Sequence, residues 1–307
     1  MFAAPKEIET EVWSSVPAEL RLKHRASEWS RIRHHDPHRF DCFLEGPSFD
    51  RAGNLYVTDI PHGRVLRVSP DKAWSVVTEY DGAPNGLKIR QDGMVFIADS
   101  KWGIMQLDPK SGEVKPFCVR NGYEPFRGLN DLVFDSKGNL YFTDQSGTDL
   151  RDPTGRVFRV TPDGRLDCLV DNVPSPNGLV LAPDESAIFL AVTRGNCIWH
   201  MPFGHDGKLA RVGLFIQMSG SAGGGPDGLA MDVEGNLAIA HVRMGSAWLF
   251  SPLGEPLYRI RSCKGLGVTN LAYGGPDMKD LYITEMQSGS VLRARMPVAG
   301  RPMYSHL

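Results

Sequence analysis

The sequence predicts an all-β fold, a six-bladed β-propeller closed by a strand from the N-terminal segment. Two observations carry this. Six polar anchor residues recur at blade length, and behind each the same short apolar runs follow, broken by Gly- and Pro-containing turns. The anchors are Glu45, Asn85, Asn130, Asn177, Asp227 and Asn270, spaced by 40, 45, 47, 50 and 43 residues. That is the length of a four-stranded blade, and a β-sandwich would not demand such a register.

Each repeat is read from its anchor. Positions two and four after the first five anchors are apolar or Pro, as in Leu87/Ile89, Leu132/Phe134 and Leu179/Leu181. A turn follows, with Gly53, Gly93, Gly138 or Gly235 eight residues after four of these anchors. A second run comes next, such as NLYVTD (54–59), NLYFTD (139–144) or DLYITE (280–285). A third run resembles RVLRVSPD, its Pro falling where a lost ladder donor costs little. A fourth, such as SVVTEY or LDCLVD, completes most units. The sixth unit stops at its third strand near Met296, and IETEVWSSV (8–16) can supply the missing outer strand and close the ring. Residues 1–307 therefore read as one domain, with 18–44 inserted before the first blade as a lid over the channel mouth. Within that insertion, Pro17 followed by Leu20, Leu22, Ala26, Trp29 and Ile32 predicts a short amphipathic helix with Pro in its first turn.

Composition excludes several classes of function. A net charge of −2 argues against a nucleic-acid binder, although residues 18–40 carry six Lys/Arg against three Asp/Glu. No run of 18 apolar residues is present, so no membrane span is expected. The opening MFAAPKEIETEVW has acids where a signal peptide needs an apolar stretch. Cys42, Cys118, Cys168, Cys197 and Cys263 are scattered and odd in number, which suits reduced thiols in a cytoplasm. His34, His35 and His38 lack the spacing of a zinc site. SGSAGGG (219–225) is neither a G-x-S-x-G elbow nor a phosphate loop and reads as a flexible segment.

The anchors carry the chemistry. Each opens an innermost strand, so all six should converge on one end of the central channel, and every one offers a side-chain oxygen. Turn preference alone accounts for single Asn or Asp residues at strand starts, but poorly for six in register. Hard oxygen donors with two carboxylates, Glu45 and Asp227, suit Ca²⁺ or Mg²⁺. Without a cation, two carboxylates facing each other would repel and one would tend to protonate. The second runs end on the same face, which makes Asp144 and His241 candidates for substrate contact or proton transfer. Loop residues there, among them Trp102, Tyr123, Phe126, Arg127, Met244 and Met286, are expected to form the wall.

The motifs EGP (45–47), LND (129–131), PNGL (176–179), PDGLAMD (226–232) and TNLAYGGPDMKDLYIT (269–284) resemble the family of senescence marker protein 30, gluconolactonase and luciferin-regenerating enzyme. The resemblance covers nearly all of 40–297. It implies a six-bladed propeller that hydrolyses lactones, often of sugar acids, with one divalent cation in the channel: Ca²⁺ first, with Zn²⁺, Mn²⁺, Mg²⁺ or Fe²⁺ as alternatives. It implies metal ligands at Glu45, Asn177 and Asp227, with Asn130 binding metal or substrate and Asp227 doubling as catalytic base. Asn85 matches the ring but no invariant ligand and is assigned to substrate. Sugar-lactone members often carry an Arg two residues before the third-blade Asn. Here Gly128 stands there, with Arg127 one residue further away, which weakens the transfer of sugar specificity and leaves sugar-acid and related lactones both open. The expected partner is a small lactone, with no nucleic acid, membrane or obligate protein partner. A phosphotriesterase acting at the same ring, and a docking propeller with a structural metal, are the alternative readings.

Overall fold

Period-two alternation, interrupted by a turn every five or six residues, gives each segment a strand's length and one face to bury. In the computed structural model, which describes residues 3–220 and 223–307, these segments form six sheets around one axis. Blade 1 consists of Leu44–Phe49, Leu55–Asp59, Arg64–Val68 and Trp74–Glu79. Blades 2 to 6 follow at 84–118, 129–173, 176–217, 225–261 and 268–295. Ser221 and Ala222 of the Gly-rich segment, and Met1 and Phe2 of the opening, lie outside the described residues. Among the described residues no helix is long and apolar enough to cross a membrane. A two-stranded hairpin, Arg120–Asn121 with Glu124–Pro125, precedes blade 3 and was not expected from the sequence.

The N-terminal closure differs in detail from the expectation. Glu11–Ser15 completes blade 6, antiparallel to Ser290–Arg295, with Glu11 opposite Arg293 and Ser15 opposite Ser290. Ile8 and Glu9, expected in the same strand, instead pair in parallel with Ile260 and Arg261 as part of a fifth strand on blade 5. Thr10 makes the switch. Its N–H and hydroxyl both donate to the Arg261 carbonyl (2.9 and 3.0 Å), and its Oγ1 accepts from the Cys263 N–H. One segment thereby covers two open sheet edges.

The helix is also shorter and later than expected. Pro17 opens only a 3₁₀ turn, Ala18–Leu20. The α-helix, Glu28–His34, is capped by Ser27, whose Oγ accepts from the Ser30 N–H (3.2 Å), and it ends at His35 in the left-handed conformation. A Ser cap followed by an acid in the first turn overrides the apolar spacing of the earlier residues.

The core lies between neighbouring blades. Phe96, Phe142 and Phe158, all fully buried, fill the space between blades 2 and 3. Threonines in or just after the second strands fasten one blade to the next: Thr58 Oγ1 donates to Asn85 O (2.6 Å), Thr143 to Asn177 O (2.9 Å) and Thr193 to Pro226 O (2.8 Å). The closing strand is fastened similarly. Trp74 Nε1 of blade 1 donates to Ser14 Oγ (2.8 Å), and Trp13 packs edge-on against Tyr282 with ring centroids 5.1 Å apart.

Trp13→Ala should therefore open the seam between blades 6 and 1. The expected loss is about 3–5 kcal/mol of unfolding free energy, measured by urea denaturation; a change under about 0.5 kcal/mol, the size of an ordinary surface substitution, would mean the seam does not depend on this side chain.

Candidate metal and substrate site

Every inner strand carries one extra residue relative to its neighbour. Leu129 pairs with Asp144 and Leu132 with Phe142, so three residues oppose two, and the same bulge recurs in all six blades. A bulge re-aims side chains at a sheet's rim, and here it turns two successive residues of each blade toward the axis. The upper tier holds Glu45, Asn85, Asn130, Asn177, Asp227 and Thr269. The next tier holds Gly46, Gly86, Asp131, Gly178, Gly228 and Asn270. A third tier, Ser48, Lys88, Val133, Val180, Ala230 and Ala272, lines a half-open cavity of about 90 Å³ below.

This register corrects the sixth anchor. Val268 pairs with Glu285 as Leu129 does with Asp144, so Thr269 is the ring residue and Asn270 lies one tier deeper. Thr269 Oγ1 donates to Leu44 O (3.0 Å) and fastens blade 6 to blade 1. The second tier also brings in Asp131, which the sequence reading had not singled out. Asn270 Nδ2 donates to Glu45 Oε2 (2.9 Å) and to Asp131 Oδ2 (3.3 Å), the latter from the opposite side of the ring. Glycine is required beside them. A Cβ on Gly228 would stand 2.0 Å from Asn270 Oδ1, and one on Gly86 would stand 2.4 Å from Asp131 Oδ1.

Glu45, Asn85, Asn130, Asn177 and Asp227 are all buried in this ring. Asn177 Nδ2 donates to Thr193 Oγ1 (3.1 Å), while its Oδ1 is buried without any hydrogen-bond partner among the described residues. Asn130 Nδ2 donates to Gln145 Oε1 (3.0 Å), and Gln145 in turn donates to Ser175 Oγ (3.1 Å). Burial, and after it the nearby Asp131, raise the pKa of Glu45 to about 7, against bonds from the Gly46 N–H and Asn270. Asp227 is pushed well above the usual carboxylate range by burial, then by Glu45 and Asp131, with Asn177 and Arg194 acting the other way. Among the described residues no group of three or more His, Cys, Asp or Glu side chains could by itself hold an ion. The donor set instead mixes carboxylates with amides, and it fits a hard cation: repelling acids and an orphaned amide oxygen face one space.

Asp144 belongs elsewhere. Its Oδ1 accepts from the Arg127 and Gly128 N–H groups (2.9 and 2.8 Å), and its Oδ2 is gripped by Arg156 (Nε 3.0 Å). Asp59, Asp99 and Glu285 tie the same loops in their blades. Asp144 is thus a buried latch rather than the substrate contact expected, because its strand end turns under the loop that enters the next inner strand. His241 takes the latch position in blade 5, opposite Pro226. It is fully buried, neither ring nitrogen has a partner among the described residues, and burial lowers its pKa to about 4, so it is neutral.

Arg127 is on the exposed rim, tied to Thr154 Oγ1 (3.1 Å) and Glu124 (3.3 Å). The helix lies along this face. It packs on Ile60–His62 of blade 1, and Arg33 Nη1 donates to Ser146 O of blade 3 (2.6 Å). A depression of about 940 Å³ opens beside it, lined by Trp29, Arg33, His62, Lys101 and Arg127. Of the expected wall residues, Phe126 instead packs against Phe142 and Phe158, and Met286 joins the cluster of Trp29, Phe40 and Phe43.

Residues 43–287 match the SMP-30/Gluconolactonase/LRE-like region. The chain belongs to this family. It is 31% identical over 228 residues to lactonase drp35 of Staphylococcus saprophyticus, covering 71% of this chain and 69% of that one. Lactonase drp35 of Staphylococcus aureus is 29% identical over 226 residues, with the same coverage. Among solved structures, the calcium-binding protein regucalcin from Agrobacterium tumefaciens superposes with a TM-score of 0.78 at 19% identity, covering 99% of this chain and 100% of that one. The gluconolactonase from Xanthomonas campestris gives 0.74 at 20% identity, covering 97% and 99%. These structures share the six-bladed propeller fold.

The acids set a pH dependence with a definite sign. Glu45 binds its proton more tightly in the folded chain than in the unfolded one. Cation-free protein should be most stable with respect to this group below about pH 4.5, losing of order 3 kcal/mol as pH rises to about 7 and then levelling off. Melting temperatures in excess chelator should fall across that window, and Glu45→Gln should flatten the fall; an identical fall in the variant would assign it to other groups.

Proposed function

We propose that this member of the family is a lactone hydrolase that works with one divalent cation, Ca²⁺ being the best match, held in the upper tier. The observation that carries the reading is the convergence of Glu45, Asp227 and the orphaned Asn177 Oδ1 on one buried space, in a chain whose relatives are named lactonases. Glu45, Asn177 and Asp227 would hold the cation, with Asn130 beside them. When bound, the cation supplies a Lewis acid for the lactone carbonyl and charge to offset the developing oxyanion.

The chain's own groups do the rest. Asp227 accepts a proton from the attacking water; burial and its acidic neighbours make it a stronger base than an exposed carboxylate. The water oxygen bonds to the carbonyl carbon, the ring C–O bond breaks, and the alkoxide leaving group takes up the proton that Asp227 received, giving the hydroxy acid and returning Asp227 to its carboxylate form. Thr193 and Gln145 fix the amides of Asn177 and Asn130 so that the site needs little reorganisation. Asn85 in the ring and Arg127 on the rim contact the substrate, and the helix with its flanking segment, 18–44, acts as a lid on a single propeller domain. Free thiols at all five cysteines support a cytoplasmic location.

The first test is a pH-indicator screen of aldonolactones and of aliphatic and aromatic lactones, with chelator and with added Ca²⁺, Mn²⁺ or Zn²⁺. Turnover that chelator abolishes and cation restores is expected; turnover indifferent to both would sink the cation's role. Asp227→Asn at saturating cation should retain a rate lower by about 10²–10⁴-fold, the usual contribution of a general base. Full recovery at saturation would make Asp227 a ligand only, with His241 the next base to test. Deleting residues 20–38 should raise KM for the best substrate, and a folded variant with unchanged KM would remove the lid.

A further inference from the structure

Below the ring, two tiers carry charges that the proposed reaction does not use. Asp131 is the one acid in the second tier and Lys88 the one charged residue in the third. Lys88 is on the inner strand of blade 2, three residues beyond Asn85. Its Nζ donates to Leu87 O (3.2 Å), and its side chain lines the half-open lower cavity, where the rest of its tier is largely apolar and the other charges, Glu185 and Arg301, pair with each other. Between Lys88 and the upper tier stands the Asn270 amide, shared by Glu45 and Asp131 across the axis.

We propose that Lys88, Asp131 and Asn270 form a permanent floor to the site, with Lys88 as a built-in counter-ion that matches the channel's charge to one divalent cation. The inference rests on the cation reading above. Three carboxylates (Glu45, Asp131 and Asp227) and one ammonium leave a charge of minus two, which a single divalent ion neutralises. Without Lys88 the channel would carry minus three and favour a trivalent ion or a proton. Arg194 does not change this balance much. It is exposed at the mouth, where it donates to Gly223 O, and water and salt screen it. Lys88 is half-buried below the ring, where its charge is screened less than that of an arginine exposed at the mouth. Asn270 is the positioning residue: it holds the two carboxylates apart and fixes the orientation of each. The electrostatic influence of Lys88 on both Glu45 and Asp131 agrees with this arrangement.

The test uses the full chain, stripped with chelator, and two probes of different charge. Ca²⁺ affinity is read by competition with a chromophoric chelator and Tb³⁺ affinity by luminescence. Lys88→Met should raise the preference for Tb³⁺ over Ca²⁺ by at least about tenfold, since one unit of nearby charge acts more strongly on a trivalent ion. Asp131→Asn should lower it by a similar factor, and the double variant should return to within about threefold of wild type if the two charges act on the same ion. Should Lys88→Met fail to fold, Lys88→Gln and Asp131→Asn carry the same comparison. An unchanged preference in folded variants that still bind both ions overturns the inference and leaves the cation reading standing. A wild-type chain that binds neither ion overturns both. Cation binding with the expected shifts but no hydrolysis of any lactone supports the floor and removes the lactonase reading.

Discussion

Six inner strands converging on one axis leave almost no room between them, and this crowding governs the rest of the molecule. A bulge at the same point in every blade turns two successive residues inward, and the second of them must be Gly in four blades. The two blades that break this rule, 3 and 6, stand opposite each other and bring Asp131 and Asn270 into contact across the axis. Gly86 and Gly228 make space for that contact, while Gly46 and Gly178 stand against the backbone of the next blade. A narrow axis thus converts a backbone irregularity into a stacked arrangement of donors, with an oxygen-rich level above a bridged one.

The electrostatics follow from the same geometry. Carboxylates brought this close in a dry channel cannot all ionise without a compensating charge, and both Glu45 and Asp227 hold their protons more tightly than exposed acids do. The outer acids are held by protein donors instead. Asp59 and Asp144 are equally buried, yet each is gripped by an arginine and by backbone N–H groups of the loop beside it. Burial alone does not distinguish a structural acid from one available to a ligand. The supply of protein donors does.

Much of this was legible in the sequence because blade length, anchor chemistry and turn glycines repeat. Blade count, five complete outer strands and closure of blade 6 by an N-terminal strand all follow from that periodicity. The ring residues of blades 1 to 5 follow as well. Asn270 was placed one tier too high because Thr-Asn-Leu and Asn-Gly-Leu each present an Asn near the expected spacing. The Leu two residues after Asn85, Asn130, Asn177 and Asp227, but directly after Asn270, carried the information needed to align them. Asp131 lies within the LND motif, but the blade spacing marks its neighbour Asn130. The role of Asp144 could not be read locally, since it depends on which backbone N–H groups a loop elsewhere presents. Nor could the strand switch at Thr10, which is a property of two adjoining sheet edges.

That strand switch also has a kinetic side. Residues 6–15 are synthesised ahead of every blade, whereas their partners at 256–261 and 290–295 emerge only after most of the ring. The closing segment must stay unpaired while five and a half blades assemble, and contacts of such long sequence separation form slowly. During this interval the nascent chain presents two bare sheet edges, the condition under which β proteins aggregate or exchange segments between copies. A circular permutant in which residues 6–16 follow 296 would place the closing strands last in the order of synthesis, so that the ring could seal as soon as its final edge emerged.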